Sequence, residues 1–330
     1  MALHIRRREF IFTLGAAVAL PLAARAQQPA MPVIGFLNNQ SPDAYGRFVA
    51  AFRQGLRQIG YVEGQNVVIQ YRWGQNDSSR LPPLAAELAR LPATVLVASG
   101  GDPAISAAQA ATTTIPIVAT IGNDPVESGL VQSLNRPGGN LTGVSVFAVQ
   151  LVAKRLELAH ELVPKAAAIA FLANPTNPNS KIDTAEVDDA GRTLGRQVVI
   201  LNAATESECD AAFASLPQRQ VAALIVESDP FFNKVTDRLV ALALRHSVPV
   251  VYPRREFASV GGLVSYGSSL TEAYRQVGIY TGRILKGDKP SDLPILLPSK
   301  FELVVNLKTA TTLGLTMPTS ILLRADEVIE

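Results

Sequence analysis

Two similar α/β lobes, each a doubly wound parallel sheet, are what this 330-residue sequence predicts. Three observations carry that expectation. From Met31 onward, short β-branched runs alternate strictly with longer amphipathic ones, which means parallel strands joined by helical crossovers and covered on both faces. The alternating series occurs twice, and the turn cluster Arg136-Pro-Gly-Gly-Asn140 separates the copies. About 300 residues follow a distinct leader, and the sequence is 48% hydrophobic, enough for two sizeable cores.

The first series begins with Pro32-Val-Ile-Gly-Phe-Leu37, a buried strand. Ser41 caps the next helix and Pro42 takes its first position, where a missing N–H costs no hydrogen bond. Tyr45, Phe48, Val49, Phe52, Leu56 and Ile59 then recur at helical spacing, and Gly60 closes the helix. Further strands are expected at 66–71, 94–98 and 115–120, and helices at 81–91, 103–112 and 126–134. A strand at 141–147 follows the turn cluster. The second series places strands at 167–172, 197–201, 222–226, 248–252 and 263–265, with helices at 182–195, 206–216 and 231–245. Segments 144–147, 266–269 and 290–298 read as crossings between lobes. Periodicity alone assigns the helix at 271–286 to neither lobe.

The leader has its own anatomy. Arg6-Arg7-Arg8-Glu9-Phe10-Ile11 is a basic n-region, residues 12–24 are an apolar run, and Ala24-Arg25-Ala26 is a small-x-small cleavage site before Gln27. Residues 1–26 therefore read as a bacterial export signal, with an apolar run too short for a stable membrane span. An uncleaved signal anchor is the alternative. Arg7-Arg8-Glu9-Phe10-Ile11 also resembles a twin-arginine signal, with Arg6 where Ser or Thr is usual. No Cys follows the apolar run, so a lipid anchor is not expected. The mature chain should be periplasmic and soluble.

Without the leader, 26 basic side chains face 27 acidic ones. That balance gives no electrostatic reason to expect nucleic acid or an anionic membrane as partner. The single Cys209 excludes an internal disulfide.

Ligands of open parallel sheets bind beyond the carboxyl ends of the strands, and the sequence gathers polar residues there. Asn38-Asn39-Gln40-Ser41-Pro42, Ser99-Gly100-Gly101-Asp102-Pro103 and Gly122-Asn123-Asp124-Pro125 serve the first lobe. Asn174-Pro-Thr-Asn-Pro-Asn179, Glu227-Ser-Asp-Pro230 and Tyr252-Pro-Arg-Arg-Glu256 serve the second. Four loops repeat Ser or Asp before Pro, at 41, 102, 124 and 229. Such a residue is a sound helix cap worth about 1 kcal/mol, which at any single site is explanation enough. Recurrence along one rim adds another reading: helix starts offering N–H groups to an anion, and Gly100 and Gly101 letting the backbone approach a ligand. Asp124 and Asp229 would then receive a cationic group, with Arg254 or Arg255 as the alternative charge complement.

No catalytic constellation stands out. The mature chain has two separated histidines, His160 and His246, and one Cys, which form no metal-ligand cluster. It lacks a nucleophile elbow, a phosphate loop and a full dinucleotide glycine motif. Neither catalytic residues nor a metal nor a cofactor is expected.

Several motifs together resemble one family. They are Met31-Pro-Val-Ile-Gly-Phe-Leu37, Phe52-Arg-Gln-Gly-Leu56 with Gly60-Tyr-Val-Glu-Gly-Gln-Asn66, Asp124-Pro125 with Gly129-Leu-Val131, Leu134-Asn-Arg-Pro-Gly-Gly-Asn140-Leu-Thr-Gly143, and Asn174-Pro-Thr-Asn-Pro178. In order and spacing they resemble the ABC-transporter substrate-binding protein family, in the branch of tryptophan- and tyrosine-type binding proteins, across essentially the whole mature chain. The resemblance implies a type I periplasmic-binding-protein fold, two lobes joined by three crossings that close as a hinge. It implies a first lobe of 31–145 and 270–297 and a second of 146–266 and 298–330. It also implies a pocket of Asn39, Gln40, Ser41, Gly100, Gly101, Asp102, Asn123, Asp124, Asn174, Thr176, Asn177, Ser228 and Asp229. Asp102 stands where members often carry Ser or Thr, and an acid there disfavours a ligand carboxylate and favours an amine or hydroxyl.

The expected function is the solute-binding component of an ABC import system. It would deliver a small organic solute, an amino acid or aromatic compound, to a membrane-embedded permease, as a monomer and without chemistry. Ligand would stabilise the closed form because only there do both lobes touch it. A sensor of the same fold is the alternative. An exported α/β enzyme would need a base and nucleophile that the sequence does not display.

Overall fold

Parallel pairing organises both sheets of the computed structural model, which describes residues 31–146, 151–298 and 301–330. The export signal expected over 1–26 lies outside the described residues. The first half runs β1 (Val33–Asn38), α1 (Pro42–Gln58), β2 (Val68–Trp73), α2 (Leu81–Arg90), β3 (Ala93–Ser99), α3 (Asp102–Ala111), β4 (Ile117–Ile121) and β5 (Leu141–Ser145). The second runs α4 (Val152–Leu162), β6 (Ala168–Ala173), α5 (Ser180–Leu194), β7 (Gln197–Asn202), α6 (Glu206–Ser215), β8 (Val221–Val226), α7 (Pro230–Lys234), α8 (Thr236–Arg245), β9 (Val250–Tyr252), α9 (Arg255–Ser259) and β10 (Val264–Ser268). Then come α10 (Leu270–Leu285), β11 (Phe301–Asn306), α11 (Leu307–Thr312), α12 (Thr319–Leu322) and β12 (Glu327–Ile329). Among the described residues, no helix is long and apolar enough to cross a membrane.

The two sheets are wound alike. The first has strand order β2-β1-β3-β4-β5, and the second contains β7-β6-β8-β9-β10, extended by β11 and β12. Both therefore change winding direction after their first strand, at β1/β3 and at β6/β8, where doubly wound sheets leave a crevice for ligands. β11 is antiparallel to β10, and the other strand pairs are parallel.

Side chains along each strand divide between two cores with period two, as a pleated strand covered on both faces requires. Ile34, Phe36, Val95 and Val97 join the core under α1 and α10, with Phe48, Phe52 and Tyr274. Leu37, Leu96 and Ala98 face the opposite core, with Leu88 and Ile105. In the second sheet Ala170 and Leu172 face one core with Phe213 and Phe232, while Ile169 and Phe171 face the other with Leu156 and Val305.

α10 leaves the end of β10 in the second sheet and packs against α1 on the first. Two glycines allow that contact. A Cβ on Gly55 would lie 1.9 Å from the Arg275 carbonyl oxygen, and one on Gly278 2.1 Å from that of Phe52. Farther along, Leu296 pairs with Val144 at the edge of the first sheet: Ser145 N–H donates to Leu296 O at 2.8 Å and Leu296 N–H to Gly143 O at 2.9 Å.

Two sequence expectations need correction. The helix at 126–134 is a turn: Asp124 accepts from the Val126 and Glu127 N–H groups, and Gly129 at φ 72° ends the coil after one turn. The helix at 231–245 is two helices, because Val235 adopts φ −99°, ψ 28° and Thr236 starts a new one. α4, the helix that carries His160, covers the second sheet with Leu156 and Ala159.

Candidate functional site

The winding reversals of both sheets face each other, so the rim loops of both lobes meet around one cleft. It divides into an inner and an outer chamber, and the two share Gly100, Gly101, Asn177 and Pro230.

On the first lobe, Asn38 ties the rim together. Its Nδ2 donates to Ser99 Oγ at 2.9 Å and to Tyr274 OH at 3.2 Å, while its Oδ1 accepts from Gln40 N–H at 2.7 Å. Gly100 sits directly against this amide at φ 79°, where a Cβ would fall 2.3 Å from Asn38 Oδ1, so this position requires glycine. Asn39 and Gln40 line the outer chamber, each donating from its amide within the lobe, to Ser78 Oγ and Asn76 Oδ1, and each leaving a buried carbonyl oxygen without a partner.

Asp102 departs from the expected cap. The capping position of α3 belongs to Gly101, and Asp102 is the first helical residue. Its Oδ1 accepts from Gly122 N–H at 3.1 Å and its Oδ2 from Asn179 Nδ2 at 2.8 Å, a hydrogen bond from the first lobe to the second. Burial pushes the Asp102 carboxyl above the usual range, against those two donors. Asn123 reaches the same partner, donating to Asn179 Oδ1 at 3.4 Å.

On the second lobe, Asp229 is a cap and a tether. Its Oδ1 accepts from the Phe231 and Phe232 N–H groups at 2.8 and 3.3 Å and from Asn174 Nδ2 at 3.1 Å. Burial pushes its carboxyl to about 6. Glu227 holds the 174–179 loop from beneath, accepting from Asn174 N–H at 2.5 Å and Asn177 Nδ2 at 3.1 Å. Burial, then the charge of Asp229, raises it to about 9. Thr176 folds back onto Asn174 Oδ1. Behind this loop the fully buried Arg155 leaves Nε and Nη2 unpartnered, and burial raises the nearby Asp183 to about 7.

Gly100, Gly101, Asp102, Asn177 and Ser228 line the inner chamber, and Asn39, Gln40, Asn174, Thr176 and Asp229 the outer. Ser41, Asn123 and Asp124 line neither; Ser41 caps α1 by accepting from Ala44 N–H at 3.4 Å, and Asp124 caps its turn.

Asn179, at the end of a rim loop, also lines the inner chamber, which has further walls that the motifs did not point to: Tyr45 of α1, Tyr274 of α10, Thr120 and Asn233. Tyr45 and Tyr274 set their ring centroids 6.2 Å apart. Tyr45 stood in the sequence as one more position of a helix's apolar face. Its place in the first turn, next to a rim loop, was the signal that it serves the cleft. Arg254 enters from the opposite lobe. It is 7% exposed, Nη2 donates to Ser228 Oγ at 3.3 Å, Nη1 to Ser268 O at 3.5 Å, and Nε has no partner. Gly267 makes room for this loop, since a Cβ there would lie 1.9 Å from Pro253 O.

A model of the family described as ABC transporter substrate binding protein matches residues 33–329. A tyrosine-binding protein from Clostridioides difficile (strain R20291) is 30% identical over 270 residues, 80% of this chain and 75% of that protein. Among solved structures, an ABC domain in complex with L-Trp from Streptococcus pneumonia is 26% identical with a TM-score of 0.80, covering 90% of this chain and 99% of that one. A ligand-free, open substrate binding protein with adhesive properties from Clostridium difficile is also 26% identical, covers 91% and 99%, and has a TM-score of 0.66.

Proposed function

Because the chain belongs to the ABC transporter substrate binding protein family, with the type I periplasmic-binding-protein fold, we propose that it captures an aromatic amino acid between its lobes in the periplasm. It then hands that solute to a membrane-embedded ABC permease as part of an import system. Residues 1–26 act as the export signal, and the mature monomer starts near Gln27.

One observation carries this reading: residues from the winding reversals of both sheets line a single chamber, and Asp102 of one lobe bonds Asn179 of the other across it. A ligand in that chamber touches both lobes only when they are together, so its binding energy favours the closed form. The paired rings of Tyr45 and Tyr274 supply an apolar wall for an aromatic body. The greater likeness to the L-Trp complex than to the open, ligand-free structure, at equal identity, supports a closed arrangement here.

L-tryptophan and L-tyrosine are the first probes. Binding should raise the melting temperature, and small-angle scattering should report a smaller radius of gyration with ligand. Equal scattering curves with and without a tightly bound ligand would remove the hinge from this reading.

Asp102 and Asn179 then act as a latch that forms on closure. Asp102→Ala and Asn179→Ala are each expected to weaken ligand binding roughly ten-fold, the worth of one charge-assisted hydrogen bond. In a double-mutant cycle on the dissociation constant, the double variant should bind no worse than either single one. Additive losses would mean that the two residues act separately.

A further inference from the structure

We propose that Arg254, in the wall of the inner chamber, selects a carboxylate-bearing ligand by pairing its guanidinium with that carboxylate. The inference rests on the reading of this cleft as a solute site, and adds the chemistry by which the solute is chosen.

Arg254 brings a full positive charge to the chamber wall while 7% exposed, and among the described residues no carboxylate lies within 4.0 Å of it. Its two contacts within the protein, Ser228 Oγ and Ser268 O, are neutral, and Nε has none. Burial pulls its pKa below the usual arginine value, against the opposing charge of Glu256, which lies beyond ion-pair distance. Such a charge is costly unless an anion meets it. A carboxylate is the matching partner, because the planar guanidinium edge presents two parallel N–H donors to two oxygens.

The acidic residues of the rim do not compete for this role. Asp102 is engaged by Gly122 N–H and Asn179 Nδ2, and Asp229 by two backbone N–H groups and Asn174. Their charges are answered by hydrogen-bond donors of the protein, whereas Arg254 meets only two neutral acceptors at hydrogen-bond distance. The acid at position 102, read from sequence as opposing a ligand carboxylate, is turned instead toward the other lobe. One cation without a paired carboxylate also fits a monoanion better than a phosphate dianion.

Titration calorimetry with L-tyrosine, L-tryptophan and their carboxamides tests this. The carboxamides keep the ring and ammonium group and remove only the anion. Wild-type protein should bind the acids roughly 100-fold more tightly than the amides, the scale of a desolvated charge pair. Arg254→Gln should reduce affinity for the acids about as much and bring acid and amide within a few-fold of each other. Amides that bind wild type as well as the acids overturn the inference, whether or not the variant folds. So does a folded Arg254→Gln protein that retains the full preference. If wild type binds neither acids nor amides, the aromatic amino acid reading fails on its own. The solute that co-purifies, identified by native mass spectrometry, then decides: a carboxylic acid whose affinity depends on Arg254 upholds the inference, and a molecule without a carboxylate overturns it.

Discussion

Gly55→Val is expected to lower the free energy of unfolding by roughly 3 kcal/mol, at the upper end of what overpacking costs, and Gly278→Val to do the same. The atoms that a new side chain would strike are carbonyl oxygens of the facing helix, at 1.9 and 2.1 Å from the first carbon added. A backbone within a helix cannot step aside singly. α1 and α10 must separate, which opens space around the buried Phe48, Phe52, Tyr274 and Val277. Tyr45 and Tyr274 ride on these two helices, so ligand affinity should fall with stability. Gly46, also on α1, is the control: a Cβ there meets nothing within 4 Å. Gly46→Ala should stabilise by about 0.5–1 kcal/mol through helix propensity and a less flexible unfolded chain. Urea denaturation of the three variants checks the set, and a Gly55→Val protein as stable as the parent would refute the packing argument.

Stability is also expected to fall by a few kcal/mol between pH 5 and pH 8, in the direction opposite to most acid-sensitive proteins. Three carboxyls under the second-lobe rim carry the effect. Asp229 is raised to about 6, Asp183 to about 7 and Glu227 to about 9, each chiefly by burial. Arg155 beside them is lowered only to about 10 and stays charged throughout. In the unfolded chain these acids lose their protons near pH 4. The folded protein therefore holds more protons over this range, and its advantage is complete below about pH 4 and lost as pH rises through the folded values. Glu227→Gln keeps an acceptor for Asn174 N–H and removes the highest of the three titrations. It should flatten the profile above pH 7. Denaturant midpoints that are constant or rising from pH 5 to pH 8 would contradict the buried-acid account.

Where the chain obeys a local rule, the sequence was enough. The apolar runs that became β1, β3, β4, β6 and β8 are buried on both faces, so composition alone marks them. Ser41 and Asp229 cap the helices they precede because the cap is a contact between near neighbours. Asp102 has the same neighbours and a different role, decided by Gly122 and Asn179, which lie 20 and 77 positions away. The 126–134 segment had helical spacing, yet Gly129 left the helical conformation. Tyr45 was legible as buried, but periodicity reports that a residue is inside, not which cavity it borders, and Tyr274 lay on a helix that periodicity assigned to neither lobe. Arg254 was visible as a charged residue in a rim loop. Its significance lies in what does not surround it, and only three dimensions reveal that.

The bond between Leu296 and the edge of β5 has a mechanical consequence. Chain running on from β5 and chain passing Leu296 start side by side as a two-ply ribbon, stitched by Ser145 N–H to Leu296 O and Leu296 N–H to Gly143 O. The remaining strap, at the end of β10, is pinned to the same ribbon where Ser268 Oγ donates to Val146 O at 2.7 Å. Three independent strings would let one lobe swing, slide and rotate over the other. A laminate bends about one axis and resists shear and torsion, because each of those would break stitches. In the closure proposed above, motion confined to a single angle would make that angle a faithful gauge of occupancy, which the proposed permease would read by touching the far tips of both lobes without contacting the cargo.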